Sequence, residues 1–338
     1  MSVCSRRRLL RRGLALAGLG LLTGCGLLAL PWQQPARAPR IGVLSLGTSA
    51  STANNVEALR SGLRDLSYVE GRDFVLEPRY AEGQSERYPA LMAELVQLGV
   101  AVVVANDPSA IWAAQQGSDT IPIVMPGGSE TPIERGLIAS FARPGGRVTG
   151  LAFGTPELAA KRLQLLKEAV PDLARVAFIN DLAVSPSADN PKVGLFSTAA
   201  AALGLGLEVA DLPSPEEFEA LFADLARKRV GGIFIDGTPN TAAQRLRLSE
   251  LAIHHRLSSI GQGSSFKDAA LLAYGANPTD LWRRSATYVD KLLKGASAAE
   301  LPVELPTVFD FVVNLQIARA LGLTIPDTLL QQATELIQ

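Results

Sequence analysis

The sequence predicts an α/β protein of two Rossmann-like lobes, each built on a parallel sheet, joined by a multi-strand hinge. Short continuous apolar runs such as VAVVVA (100–105) and GGIFID (231–236) have the character of strands buried on both faces. Segments with an apolar stripe at helical spacing alternate with these runs, and that alternation is the signature of a doubly wound parallel sheet. The same alternation restarts beyond residue 170, which implies a second sheet rather than a longer first one.

Taken in order, residues 1–30 are an export segment and not part of the fold. Arg6, Arg7, Arg8, Arg11 and Arg12 form a positive n-region, and an apolar stretch follows over 13–30. Within it, Leu22, Thr23, Gly24 and Cys25 fit the pattern that a lipoprotein signal peptidase needs, with Cys25 as the residue to be acylated. SRRRLLR (5–11) also reads as a twin-arginine signal. The alternative is an uncleaved membrane anchor, since the stretch is near the ~18 residues at which a spanning helix becomes feasible. Gly18, Gly20, Gly24 and Gly26 weigh against a helix that must persist. On either reading the folded part lies outside the cytoplasm, held to a membrane. Residues 31–39, rich in Pro, Gln and Ala, form a tether. Cys4 and Cys25 are the only cysteines, so no disulfide is expected in the folded part, and stability must come from a core that 47% hydrophobic residues in 338 can supply.

Lobe 1 is expected over 40–150, with a return at about 276–303. Its strands are IGVLSL (41–46), VAVVVA and IPIVM (121–125); one helix carries Val56, Leu59, Leu63 and Leu66, and another Leu91, Leu95 and Leu98. Lobe 2 is expected over 151–275 and about 304–338. Its strands are RVAFI (175–179), LEVADL (207–212) and GGIFID; one helix ends at 198–203, and another runs over 215–228 with Ser214 as its cap and Phe218, Leu221, Phe222 and Leu225 inward. VTGLAF (148–153) and LLAYG (271–275) are the expected crossings, helix 280–293 returns to lobe 1, and FDFVV (309–313) with the terminal helices closes lobe 2.

Open α/β sheets bind ligands beyond the carboxyl ends of their strands. Those ends hold Thr48 and Ser49; Asn106 and Ser109, beside Asp107 and Pro108; Gly128 and Ser129; Asn180, beside Asp181; Asp236 and Thr238, near Asn240; Gln262; and Tyr274. Glycines and small hydroxyl residues present N–H groups to a carboxylate or hydroxyl, and an Asp can pair with an ammonium. Each also has an ordinary reading as a cap or turn residue, so only their convergence points to a ligand. Trp112, Phe153, Phe266 and Tyr274 are candidates to stack on a ligand, with core packing as the alternative.

No catalytic constellation emerges. His254 and His255 sit together near a helix end, where a surface role is the simpler reading, and there is no GxxxxGK loop, GxSxG elbow or HExxH pair. Gly204 and Gly206 precede a strand, so they make no dinucleotide fingerprint, and Glu216 and Glu217 read as solvated helix charges. No cofactor, metal or catalytic residue is expected. A net charge of −1 offers no basic face for nucleic acid, and no DNA-binding segment is read ahead of Arg40.

Several segments carry a family resemblance: GLRDLSYVEGRDF (62–74), RYAEGQSERYPALMAELV (79–96), ARPGGRVTGL (142–151), KRLQLLKEAVP (161–171), RRSATYVDKLLKGASAAELPVELP (283–306) and FVVNLQIARALGLTIP (311–326). From about residue 40 to its end the chain resembles the ABC transporter substrate-binding family often labelled an uncharacterised transport-system periplasmic component, close to the lipoproteins that bind tryptophan and other aromatic amino acids. The resemblance implies a type I periplasmic-binding-protein fold, hinge closure on a small-molecule ligand, docking to the permease and ATPase subunits of an ABC importer, and a periplasmic or extracytoplasmic, lipid-anchored location. The expected pocket loops depart from the family pattern. NDPSA (106–110) replaces a Gly-Thr-Pro-Ala-like turn, GGSETP (127–132) replaces Gly-Asp-Pro, and NDLAVSPSADNP (180–191) replaces an Asn-Pro-rich loop. The resemblance therefore carries over the scaffold and the transport role, and it does not name the ligand. IDGTP (235–239) keeps the expected acid and proline, which makes Asp236 the foremost candidate for a ligand amine or hydroxyl. A sensor that signals through a membrane partner, and an enzyme on a related scaffold, are the other readings of the same features.

Overall fold

A computed structural model describes residues 38–155, 157–182 and 187–338; the export segment, with Cys25, lies outside the described residues. The first sheet grows from β1 (Arg40–Ser45), α1 (Ser49–Asp65), β2 (Val75–Tyr80), α2 (Tyr88–Gln97), β3 (Val102–Ala105), α3 (Pro108–Gly117), β4 (Ile123–Pro126) and β5 (Val148–Leu151). Its strands are all parallel in the order β2-β1-β3-β4-β5. β3 and β4, covered on both faces, are buried along their whole length, which is why they are continuous apolar runs. β2 was not expected from the sequence; it holds Pro78, which only an edge strand tolerates, and it lies at the sheet edge.

The second sheet draws on α4 (Glu157–Ala169), β6 (Arg175–Asp181), α5 (Pro191–Ala202), β7 (Gly206–Leu212), α6 (Phe218–Arg227), β8 (Gly232–Ile235), α7 (Pro239–Ala243), α8 (Arg245–His254), β9 (Ser258–Gln262) and β10 (Leu272–Ala276). The chain then makes α9 (Pro278–Leu293), β11 (Phe309–Asn314), α10 (Leu315–Leu321), α11 (Asp327–Gln332) and β12 (Glu335–Ile337). The strand order is β12-β11-β10-β9-β8-β6-β7, parallel except where β11 runs against β10. That antiparallel pair is a departure from the purely parallel sheet expected: the chain leaves β10 for the first lobe and re-enters from the opposite end. β9 also escaped the sequence reading. Its SSIGQ is polar in composition yet buried throughout, because Ser259 Oγ accepts from the Leu271 N–H at 3.0 Å and Gln262 is bonded in the cleft.

Helix α9 packs on α1, beside the first sheet. Gly62 makes the approach possible, since a Cβ there would lie 2.1 Å from the Arg283 carbonyl oxygen. Three strands of chain cross between the lobes side by side. Ala152 N–H donates to Glu304 O at 2.9 Å, Glu304 N–H to Gly150 O at 2.9 Å, and Asn277 N–H to Val308 O at 3.1 Å, so a third crossing at 304–308 joins the two read from sequence. Two local expectations are corrected. Leu66 caps α1 and stands 37% exposed instead of joining its buried stripe. Ser214 gives no cap to a backbone N–H; its hydroxyl bonds the Glu217 carboxylate at 3.1 Å, and the first turn is a 3-10 turn.

In the second lobe, Phe178, Phe196 and Phe234 form one aromatic cluster with centroids 4.2–5.4 Å apart, and Phe218, Phe222 and Leu225 fill the other face of the sheet. Each fully buried Phe contributes roughly 1.5–3 kcal/mol, so the faces facing the helices hold each sheet while the strand ends remain available for recognition. No helix of the described residues is long and apolar enough to cross a membrane.

Candidate ligand-binding cleft

The carboxyl ends of both sheets open onto one cleft of about 730 Å³, within the range that holds a metabolite-sized ligand. Of the residues expected from sequence, Asn106, Ser109, Gly128, Ser129, Asp236, Thr238 and Gln262 line it, together with Phe153. Thr48, Ser49, Asn180 and Tyr274 are not among the lining residues, and each has a structural occupation. Thr48 Oγ1 accepts from Ser51 N–H at 3.2 Å and caps α1, of which the exposed Ser49 is the first residue. Asn180 donates to Asp211 at 2.7 Å and accepts from Asn190 at 2.9 Å. The Tyr274 ring stacks on Phe309 at 5.9 Å and meets Phe311 edge-on. Phe266 is core, and Trp112 is 40% exposed outside the cleft.

The floor of the cleft is a charged network that the sequence reading did not assemble. Arg162 of α4, with no exposed surface, donates from both Nη atoms to Glu130, at 2.7 and 3.2 Å, and from Nε to the Tyr274 carbonyl at 3.0 Å. Glu130 comes from the loop after β4, so this fork joins the two lobes. Lys192, in the first turn of α5, places Nζ 2.7 Å from Asp236 Oδ1, 3.2 Å from Gln262 Oε1 and 3.7 Å from Glu130 Oε2. Gln262 in turn donates to Glu130 at 3.0 Å and accepts from the Gly237 N–H at 3.0 Å. Burial by itself would raise the Glu130 carboxyl, but the Arg162 guanidinium and the Lys192 ammonium outweigh it and hold the group below the ordinary carboxylate range. Asp236 therefore stands where it was expected, but its first partner is Lys192.

The first lobe contributes less settled groups. Arg135 lines the cleft, and its guanidinium has no hydrogen-bond or ion-pair partner among the described residues; burial lowers its pKa, with the charge of Asp236 acting the other way. Asn106 Oδ1 and Thr131 Oγ1 are buried without a partner among the described residues. Asp107 caps α3 through the Ala110 N–H at 2.9 Å and accepts from the Tyr88 hydroxyl. Burial pushes its carboxyl up, more than these hydrogen bonds pull it down.

Sequence signals for the missed residues existed in part. Arg162 falls on the stripe of Leu158, Leu163 and Leu166, an intruder that α4 could bury only with a partner. Lys192 sits in the first turn of a helix, where the macrodipole disfavours a cation. Arg135 carries no such mark. Away from the cleft, Glu219, His254 and His255 bring donor atoms within 4.8 Å of one another, with His255 Nε2 already 2.8 Å from Glu219.

The chain is 21% identical over 318 residues to the tyrosine-binding protein of Clostridioides difficile (strain R20291), covering 90% of this chain and 89% of that one. Its fold matches the ABC domain from Streptococcus pneumoniae in complex with L-Trp, with a TM-score of 0.80 and 23% identity over 89% of this chain and 100% of that one. It matches a conserved domain protein from Vibrio cholerae O1 biovar El Tor equally, at a TM-score of 0.80 and 22% identity with the same coverage. A profile of the family described as ABC transporter substrate binding protein matches residues 40–337. The chain belongs to the ABC transporter substrate binding protein family.

Proposed function

We propose that this chain is the extracytoplasmic, lipid-anchored solute-binding component of an ABC importer. It holds a small metabolite, an amino acid or a similar polar or aromatic acid, between its lobes by hinge closure and delivers it to the membrane permease and its ATPase. The observation that carries the reading is the cleft itself: it is lined from both sheets at their carboxyl ends, and the lobes are joined by three adjacent crossings around which they can close. The partnerless Arg135 and Asn106 Oδ1 are groups that a polar ligand would satisfy. A relative that binds tyrosine and a structural neighbour with L-Trp bound support a ligand of this size. The arginine-rich, apolar segment ending near Cys25 supports export and anchoring.

Melting of the full chain against amino acids, aromatic acids, sugars and nucleosides tests this. A ligand that binds only the folded state adds about 2.7 kcal/mol at one hundred times its dissociation constant, and affinities of roughly micromolar or better suit a receptor of this kind. Loss of uptake of the same compound on deletion of the chain is the expected companion result. Uptake that persists without the chain overturns the delivery role.

A further inference from the structure

The charge arrangement of the cleft narrows the ligand further, on the reading that this cleft is the solute site. We infer that the ligand is an organic acid with a carboxylate and no charged amine: Arg135 receives the carboxylate, and Lys192 supplies from the protein the cation that an amino acid would bring.

Asp236 and Glu130 are the acids at the floor, and both are already answered. The Lys192 ammonium donates to Asp236 Oδ1 at 2.7 Å and Gln262 Oε1 at 3.2 Å, and it stands in an ion pair with Glu130 Oε2 at 3.7 Å. Its side chain is 12% exposed, so this is a built-in pair and not a loose surface contact. The Arg162 fork supplies the second cation to Glu130. Two charges of each sign thus close the floor. A ligand ammonium would have to expel Lys192 or sit beside it, and like charges repel strongly where water is excluded.

Of the other cleft acids, Glu86 is exposed to solvent, which screens its charge, with no side-chain partner among the described residues, whereas Asp181 and Asp107 are engaged. Asp181 accepts from the Thr238 hydroxyl at 2.5 Å on one oxygen and from the Asn240 amide at 3.2 Å on the other. Asp107 accepts from the Tyr88 hydroxyl and the Ala110 N–H. Arg135 is different: it lines the cleft, and its guanidinium has no hydrogen-bond or ion-pair partner among the described residues. A guanidinium offers two parallel N–H donors to a carboxylate, a geometry that neither water nor a hydroxyl reproduces. Phe153 and Trp282 in the lining supply apolar surface for the body of such an acid.

Calorimetric titration of the full chain with matched pairs tests the inference: L-phenylalanine with 3-phenylpropionate, L-tyrosine with 3-(4-hydroxyphenyl)propionate, L-tryptophan with 3-indolepropionate, and L-leucine with 4-methylpentanoate. In at least one pair the acid is expected to bind at least tenfold more tightly than its amino acid. Arg135→Met should then weaken the acid at least tenfold, and Lys192→Met, by uncovering Asp236, should shift the ratio towards the amino acid. A ratio below ten in every pair that binds overturns the inference and leaves the solute-binding role standing. No binding by either member of any pair, in a chain that melts cooperatively, overturns the inference together with the carboxylate reading of the cleft. Should Lys192→Met fail to fold, the native ratio and the Arg135 variant decide the question.

Discussion

The two walls of the cleft are built on opposite principles. On the second lobe, Asp236, Gln262 and Lys192 answer one another before any ligand arrives, Thr238 answers Asp181, and Glu130 crosses from the first lobe to complete the set with Arg162. On the first lobe, the Arg135 guanidinium and Asn106 Oδ1 line the cleft without partners among the described residues. A satisfied polar network is rigid and expensive to rearrange, whereas an unsatisfied group carries a desolvation penalty that only an incoming partner relieves. One wall is therefore set by its own contacts, and the other holds the groups that, on the proposed function, a ligand would satisfy.

Breaking the satisfied wall should give the largest effect. Arg162→Met leaves Glu130 buried with Lys192 as its one remaining cation, and loss of one partner from a buried pair costs about 3–5 kcal/mol. The double change Glu130→Gln with Arg162→Met removes the stranded charge and should recover part of that loss. Urea denaturation of the three proteins measures this; a single variant as stable as the native chain would mean that the fork is not holding the lobes.

The loop between the walls gives a smaller effect. Gly127 adopts φ +91°, and a Cβ there would lie 2.8 Å from Leu281 Cδ1 and 3.1 Å from Phe153 Cδ2. Gly127→Ala combines left-handed strain with crowding and should cost roughly 1–3 kcal/mol. Because the displaced Phe153 lines the cleft, ligand affinity should fall as well, which separates this loop from a purely structural turn.

Two carboxyls should give pH slopes of opposite sign. The Glu130 pKa is depressed in the fold, so its stabilisation is complete above the unfolded value of about 4.3 and disappears as pH falls through the folded value. Asp107 is raised by burial: the folded state holds its proton longer, and its contribution declines as pH rises from about 3.9 through the higher folded value. Stability measured from pH 3 to 7 should therefore lose part of its acid-side fall in Glu130→Gln, where Asp268, Asp290 and Glu304 still contribute, and part of its opposing slope in Asp107→Asn. Identical slopes in both variants and the native chain would show that neither group differs between folded and unfolded states.

Much of the scaffold was legible because burial on both faces writes itself as apolar runs, as in β3 and β8. β9 was not, since a polar strand is stable in the interior when its hydroxyls and amide find partners, and those partners come from distant sequence. The cleft divides in the same way. Asn106, Gly128 and Asp236 could be placed because strand ends locate them. Tyr274 could not be separated from its core role, because its neighbours Phe309 and Phe311 arrive from a strand that pairs antiparallel after an excursion into the other lobe. Glu130, Lys192 and Arg162 are remote in sequence and meet only through the crossings. Arg135 owes its position to a partly exposed turn that has no periodicity to reveal it.

The smallest effect tests whether a helix start beside the cleft belongs to recognition at all. Thr48 follows the first strand, where a ligand-binding hydroxyl is expected, yet its hydroxyl and Ser51 form a reciprocal capping box at the start of α1. Replacing such a cap with Ala costs about 1 kcal/mol, so Thr48→Ala should lower the denaturation midpoint slightly. Affinity for any ligand found should remain within twofold of the native value, since Thr48 is exposed and absent from the lining. A drop in affinity well beyond twofold would move α1 into the recognising wall on closure. It would also show that the first lobe uses helix starts, and not Arg135 alone, to meet its ligand.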